Sequence, residues 1–159
     1  MGRYSKAEID HAYASYKALA KQSQETGDWT IFPQTFTEDV TYVEHAFGVF
    51  HGRKAVTEWL VEAQAPFPTD MVFPIGWEVF DYESGAVVFE VYNRLIIPEK
   101  PELSFDLMNW SRIEYGGEGL WRYEEDIYNP LDMRNTFDEW VAAGGKPRTS
   151  LADMKHGAQ

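Results

Sequence analysis

The stretch Asp39–Leu60, DVTYVEHAFGVFHGRKAVTEWL, decides the architecture. Thr41 to His45 is rich in β-formers, Gly48 marks a tight turn, and Gly52 closes a second short strand. Beyond it, Val56, Trp59, Leu60 and Ala63 fall on one side of a helix. Side chains alternate along a strand, so Tyr42 and Glu44 share one face while Val43 and His45 take the other. Four proton-handling groups, Tyr42, Glu44, His45 and His51, lie within ten residues. If apolar helices cover the Tyr42 face, Glu44 points into the protein, where an ionised carboxylate without a partner is costly. Two readings stay open. Glu44 is a strand-end carboxylate in water or paired with an arginine, or it is a pocket carboxyl whose raised pKa suits general base work.

Upstream, Ser5 and Glu8 have capping-box spacing, and Ile9, Ala12, Tyr13, Tyr16, Leu19 and Ala20 recur at helical period to about Thr26. Asp28 caps the short segment that follows. Downstream, the prolines of APFPTD end the second long helix, and from Met71 the period becomes two. MVFPIGWEVFDY, AVVFEVYNRLII, ELSFDLMNWSRIEY and GLWRYEEDIYN read as four long strands with short links, which implies an antiparallel sheet curling around something. PLDMRNTFDEWVAAGG is a final helix with a glycine stop. Helices first and a strand meander afterwards make an α+β fold, with residues 1–144 as one domain and 145–159 as a polar C-terminal tail.

The chain has 159 residues, enough for a real core and an enclosed cavity as well. Six Trp, nine Tyr and ten Phe can fill that core or line a small-molecule site. A net charge of −12 without a basic stripe argues against nucleic acid as a partner. With no cysteine, disulfides, thiolate nucleophiles and Cys-ligated zinc drop out together. No apolar leader opens the sequence and no run reaches the length of a membrane span. The expectation is a soluble, cytoplasmic protein without membrane contact.

Two further strands carry candidate chemistry. In GLWRYEEDIYN strict alternation groups Arg122, Glu124, Asp126 and Tyr128 against Trp121, Tyr123, Glu125 and Ile127. The polar group is either an outer, solvated ladder or the lining of a cavity. In ELSFDLMNWSRIEY, Asn109 and Ser111 fall on one side and Trp110 and Arg112 on the other. The spacing of Glu44, His45 and His51 matches no metal motif, and no glycine loop opens a helix to cradle phosphate. No metal or other cofactor is expected.

A helix ending GDW, then FTEDVTYVEHAFGVFHGRKAVTEWL, a long meander and a final EEDIYNP resemble the SnoaL-like branch of the nuclear transport factor 2-like superfamily. That superfamily includes ketosteroid isomerase, scytalone dehydratase and limonene epoxide hydrolase. The resemblance covers about residues 5 to 144 and implies a cone: a curved antiparallel sheet wrapped by about three helices, a cystatin-like α+β barrel with an apolar cavity. It also implies a homodimer or higher homo-oligomer. The isomerase base falls on Glu44. The hydrolase tyrosine falls on Tyr42, and its final-strand aspartate on Asp126. The helix tyrosine of the isomerase falls one turn from Tyr16, at Ala20, and its second acid falls near Ser111. Both departures weaken steroid isomerisation. The scytalone pattern of cavity histidines and tyrosines keeps Tyr13, Tyr16, His45 and His51 in view.

The resemblance therefore implies a cofactor-independent lyase, dehydratase or isomerase for a hydrophobic, aromatic or polycyclic small molecule. The catalytic candidates are Glu44, Asp126, Tyr42, Tyr16 and His45. The substrate-binding candidates are Tyr13, His51, Trp59, Phe89, Asn109, Trp110, Arg122, Glu124 and Tyr128. The alternatives are a non-catalytic binding or assembly module of the same fold, and an epoxide hydrolase.

Overall fold

The computed structural model describes residues 2–149. Its first helix, α1 (Lys6–Thr26), starts at the expected capping box: the Glu8 amide donates to Ser5 Oγ at 3.2 Å and the Ser5 amide to Glu8 Oε2 at 2.9 Å. Gly27, at φ 73°, ends it in the left-handed conformation that glycine adopts without strain. One face of α1 is buried through Ile9, Ala12, Tyr13 and Tyr16. Buried Ser23 accepts the Phe32 amide at 2.9 Å, tying the helix to a 3₁₀ turn at Phe32–Thr35. Asp28 caps the bend before that turn by accepting the Thr30 amide at 3.0 Å.

The opening stretch folds as β1 (Phe36–Glu44), β2 (Gly48–His51) and α2 (Arg53–Gln64). The meander follows as β3 (Met71–Val72), β4 (Ile75–Asp81), β5 (Ala86–Ile96), β6 (Ser104–Gly117) and β7 (Leu120–Ile127), then α3 (Pro130–Ala142). The stretch read as one strand from Met71 breaks at Pro74, which has no amide hydrogen to give to a ladder. Both pieces pair with β5. Strand order is β2-β1-β7-β6-β5-β3, with β4 also on β5, forming a curved, unclosed sheet.

Two expectations need correction. The sheet is mixed, because β1 runs parallel to β7 and every other pair is antiparallel. These two strands are neighbours in space but far apart in sequence, so no short link dictates their direction. The second correction is a bulge. Glu114 pairs with Tyr123, yet the next residue, Tyr115, pairs with Trp121, so β7 carries one extra residue at Arg122. Alternation therefore slips there: Trp121 and Glu124 are both buried, and Arg122 is exposed.

The larger apolar cluster packs α1 and α2 onto the concave face of the sheet around Tyr13, Phe36, Phe89 and Trp121. A smaller one docks α3 through Trp140, whose Nε1 donates to the Ile96 carbonyl at 2.9 Å, with Phe67, Leu95 and Ile97. Residues 145–149 begin the polar tail by turning back, the Arg148 amide meeting the Pro66 carbonyl at 2.6 Å. The rest of the tail lies outside the described residues. No described helix is long and apolar enough to cross a membrane.

Candidate active site

Between the helices and the concave sheet lies a cavity of about 1100 Å³ whose walls draw on both clusters. That matches or exceeds the roughly 300–1000 Å³ of ordinary small-molecule pockets. Most of the wall is apolar, with Trp29, Phe32, Phe73, Phe89, Leu107 and Phe137 prominent. One end is acidic, and strand register explains why. The parallel ladder sets Tyr42 beside Glu124 and Glu44 beside Asp126. The antiparallel ladder then sets Asp126 beside Ser111, and Ser111 beside Phe89. Because neighbouring residues in adjacent strands face the same side, Glu44, Asp126, Ser111 and Phe89 form one inward row across four strands.

These groups are bonded to one another. Asp126 Oδ1 accepts from Ser111 Oγ at 2.5 Å and Asn109 Nδ2 at 3.0 Å, while Asp126 Oδ2 accepts from the Tyr42 hydroxyl at 2.5 Å. Glu124 Oε1 accepts from Tyr16 at 2.8 Å and lies 3.2 Å from the Tyr42 hydroxyl. Tyr42 has one hydrogen, and its shorter contact is with Asp126. Burial, followed by the charge of Asp126, pushes Glu124 well above the usual carboxylate range, against the opposing hydrogen bonds of Tyr16 and Tyr42. Burial also raises Asp126, opposed by Ser111, Tyr42 and Asn109. The tyrosines respond in kind: burial, reinforced by the carboxylates, holds Tyr16 and Tyr42 well above ordinary phenols.

Glu44 stands apart from this chain of bonds. The turn after β1 folds back so that the amides of Ala46 and Phe47 donate to Glu44 Oε2 at 2.8 and 2.7 Å. Burial raises its pKa, opposed first by the Tyr128 hydroxyl and then by those two amides. Among the described residues no arginine or lysine forms an ion pair with it, so the structure does not pair Glu44 with an arginine. Arg94 is held by Asp106, and Arg122 by Glu114 at 2.7 Å.

The cavity brings together Tyr16, Tyr42, Glu44, Trp59, Phe89, Asn109, Glu124, Asp126 and Tyr128 of the candidates drawn from sequence. The other five lie elsewhere. His45 is on the outer face, 2.9 Å from Glu125, because it alternates with Glu44. His51 is exposed at the sheet edge beside Thr41. Trp110 alternates with Asn109 and stands outside near Trp77, with ring centroids 6.0 Å apart. Arg122 is turned out by the bulge. Tyr13 is buried in the core against Phe80, Phe89 and Trp121 rather than on the cavity wall. Beyond the apolar wall residues named above, the cavity also takes in Ser111 and Phe47, which were not among those candidates. Ser111 holds Asp126, a position legible in its alternation with Asn109, and Phe47 lines the cavity from a turn that carries no periodic signal.

No protein-family model matches the sequence, and no curated protein matches it. Solved structures do match in shape. An LEH-like epoxide hydrolase of M. tuberculosis superposes with a TM-score of 0.61 at 19% identity over 86% of this chain and 94% of that one. A steroid delta-isomerase of Pseudomonas aeruginosa gives 0.59 at 14%, over 90% and 97%. A ketosteroid isomerase-like protein of Catenulispora acidiphila, solved with trimethylamine, gives 0.57 at 19%, over 72% and 85%. The chain thus has the fold of the nuclear transport factor 2-like superfamily, a fold shared with isomerases and epoxide hydrolases.

Proposed function

We propose that this protein is a cofactor-free acid/base enzyme that isomerises, dehydrates or lyses a largely apolar, aromatic or polycyclic small molecule. The observation that carries this reading is the pairing of two separately supported carboxyls, Glu44 and Asp126, at the acidic end of an aromatic-walled cavity. Such chemistry needs one group to take a proton from carbon and another to deliver one to oxygen. Glu44 takes the first role. Its oxygen is fixed by two backbone amides, and its raised pKa makes it a stronger base than a solvated glutamate. Asp126 takes the second, supplied from protonated Glu124 through Tyr42: the proton of Glu124 passes to Tyr42 as Tyr42 passes its own to Asp126, which donates to the substrate oxygen. The apolar, aromatic wall around the acidic end limits the water that reaches the intermediate.

A second reading, epoxide hydrolysis, is favoured by the side-by-side register of Glu44 and Asp126. One carboxylate would activate a water while the other, protonated, opens the ring. Both readings are tested together by mass-spectrometric screening of the purified protein, without added cofactor, against hydroxylated aromatic, terpenoid and epoxide compounds, with Glu44→Gln as the blank. Isomers separated by chromatography, water-loss products or cleavage fragments made only by the native protein support the first reading, and diols support the second. Equal conversion by both proteins ends the assignment of Glu44, and no conversion by either leaves a binding module.

A further inference from the structure

We propose that the molecule taken by this cavity carries a basic nitrogen, bound as an ammonium or iminium ion on an otherwise apolar frame. The inference rests on the reading of Glu44 and Asp126 as the working carboxyls and adds the chemical class of their substrate.

The first ground is charge. Glu44, Glu124 and Asp126 line one end of the cavity. The three cationic side chains on its wall, Lys17, Lys21 and Arg134, come from α1 and α3, and each has its own acid: Glu78 at 2.8 Å, Glu25 at 3.7 Å and Asp138 at 3.9 Å. The remaining groups facing the carboxyls are Tyr16, Tyr42, Tyr128, Asn109 and Ser111, none of them cationic. A buried carboxylate is ordinarily compensated by a cation from the protein. Among the described residues that place is open beside Glu44 and Asp126 to a cation from the ligand, with Glu124 pushed toward its neutral form, whereas an anionic ligand would meet like charge.

The second ground is the pattern of unpartnered polar atoms. Asn109 is 3% exposed and Glu124 2% exposed, yet Asn109 Oδ1 and Glu124 Oε2 have no hydrogen-bond partner. Gln64 Oε1 on the same wall is a third such acceptor, against a single unpartnered donor, Trp59 Nε1. Buried acceptors without donors are unfavourable, so this wall favours a ligand that brings hydrogen-bond donors, and an ammonium brings them together with the charge that the carboxyls call for. The third ground is aromatic. Trp59 stands 5.0 Å from Tyr42 and 6.2 Å from Phe47, ring to ring, beside the carboxyls. Aromatic faces attract a desolvated cation.

The test uses two isosteres, 4-(dimethylaminomethyl)phenol, protonated at pH 7, and 4-isobutylphenol, in which C–H replaces N–H⁺. Calorimetric titration of the full chain is expected to show the amine binding roughly 10-fold or more tightly, as a charge-assisted bond combined with a cation–π contact implies. Glu44→Gln should shrink that preference. Equal or tighter binding of the neutral isostere, or no binding of either, overturns the proposal on native protein alone. Because binding is read without turnover, that result would leave acid/base catalysis standing. A Glu44→Gln enzyme with full turnover would end the catalytic reading while the amine preference could still be measured.

Discussion

The hydroxyl of Tyr42 lies 2.5 Å from Asp126 Oδ2 and 3.2 Å from Glu124 Oε1, so one phenol stands between the buried Glu124 and the half-buried Asp126. It links two groups that would repel one another if both were charged, and burial beside Asp126 pushes Glu124 upward, toward its protonated form. Tyr42→Phe removes that link. The expected result is a loss of about 1.5–3 kcal/mol in urea unfolding, the scale of a hydrogen bond to a charged group. Unchanged stability would mean that the contact contributes nothing net.

Glu44→Gln keeps an oxygen for the amides of Ala46 and Phe47 but removes the proton acceptor. Turnover should fall roughly 10²–10⁴-fold, the usual contribution of a general base. No buried cation is left unpaired, so the melting temperature should hold or rise. A strongly destabilised variant with unchanged activity per folded molecule is the opposite outcome.

Glu124 gives stability a pH slope. Its native pKa is raised above the ordinary 4.5, so between the two values the folded state holds a proton that the unfolded chain has lost. Its contribution is therefore fully present below the unfolded value and is lost as pH rises through the native one. Glu124→Gln lacks this loss. The stability of the variant relative to native protein should grow from about pH 5 to pH 8 in paired urea titrations. Parallel curves would show that Glu124 is not held protonated.

Arg122 tests the bulge. Strict alternation would aim it at the acids, but it stands outside with Glu114. Arg122→Ala should leave turnover unchanged and move stability by less than about 1 kcal/mol, as for other exposed ion pairs. A large loss of activity would place Arg122 in the cavity after all.

Among the described residues no three His, Asp or Glu side chains converge as a metal would require. Treatment with a chelator should leave melting temperature and turnover unchanged, and recovery of lost activity on adding a divalent metal is the contrary result.

Local rules determined much of this protein. Ser5 and Glu8 start α1 wherever the chain finds itself, because the capping box is closed within one turn. The two-residue period places Tyr42 with Glu44 and Glu124 with Asp126, because backbone geometry alone sets which side chains share a face. What local rules do not contain is the meeting of distant segments. The parallel pairing of β1 with β7 brings Glu44 beside Asp126 across 82 positions, and only packing of the helices onto a curved sheet selects that register. The bulge at Arg122 is of the same kind. It leaves no mark in the alternation of β7 read alone, and decides that an arginine faces water while Trp121 fills the core. The upward shift of the Glu124 pKa is likewise tertiary, since it follows from burial beside Asp126 and not from being a glutamate.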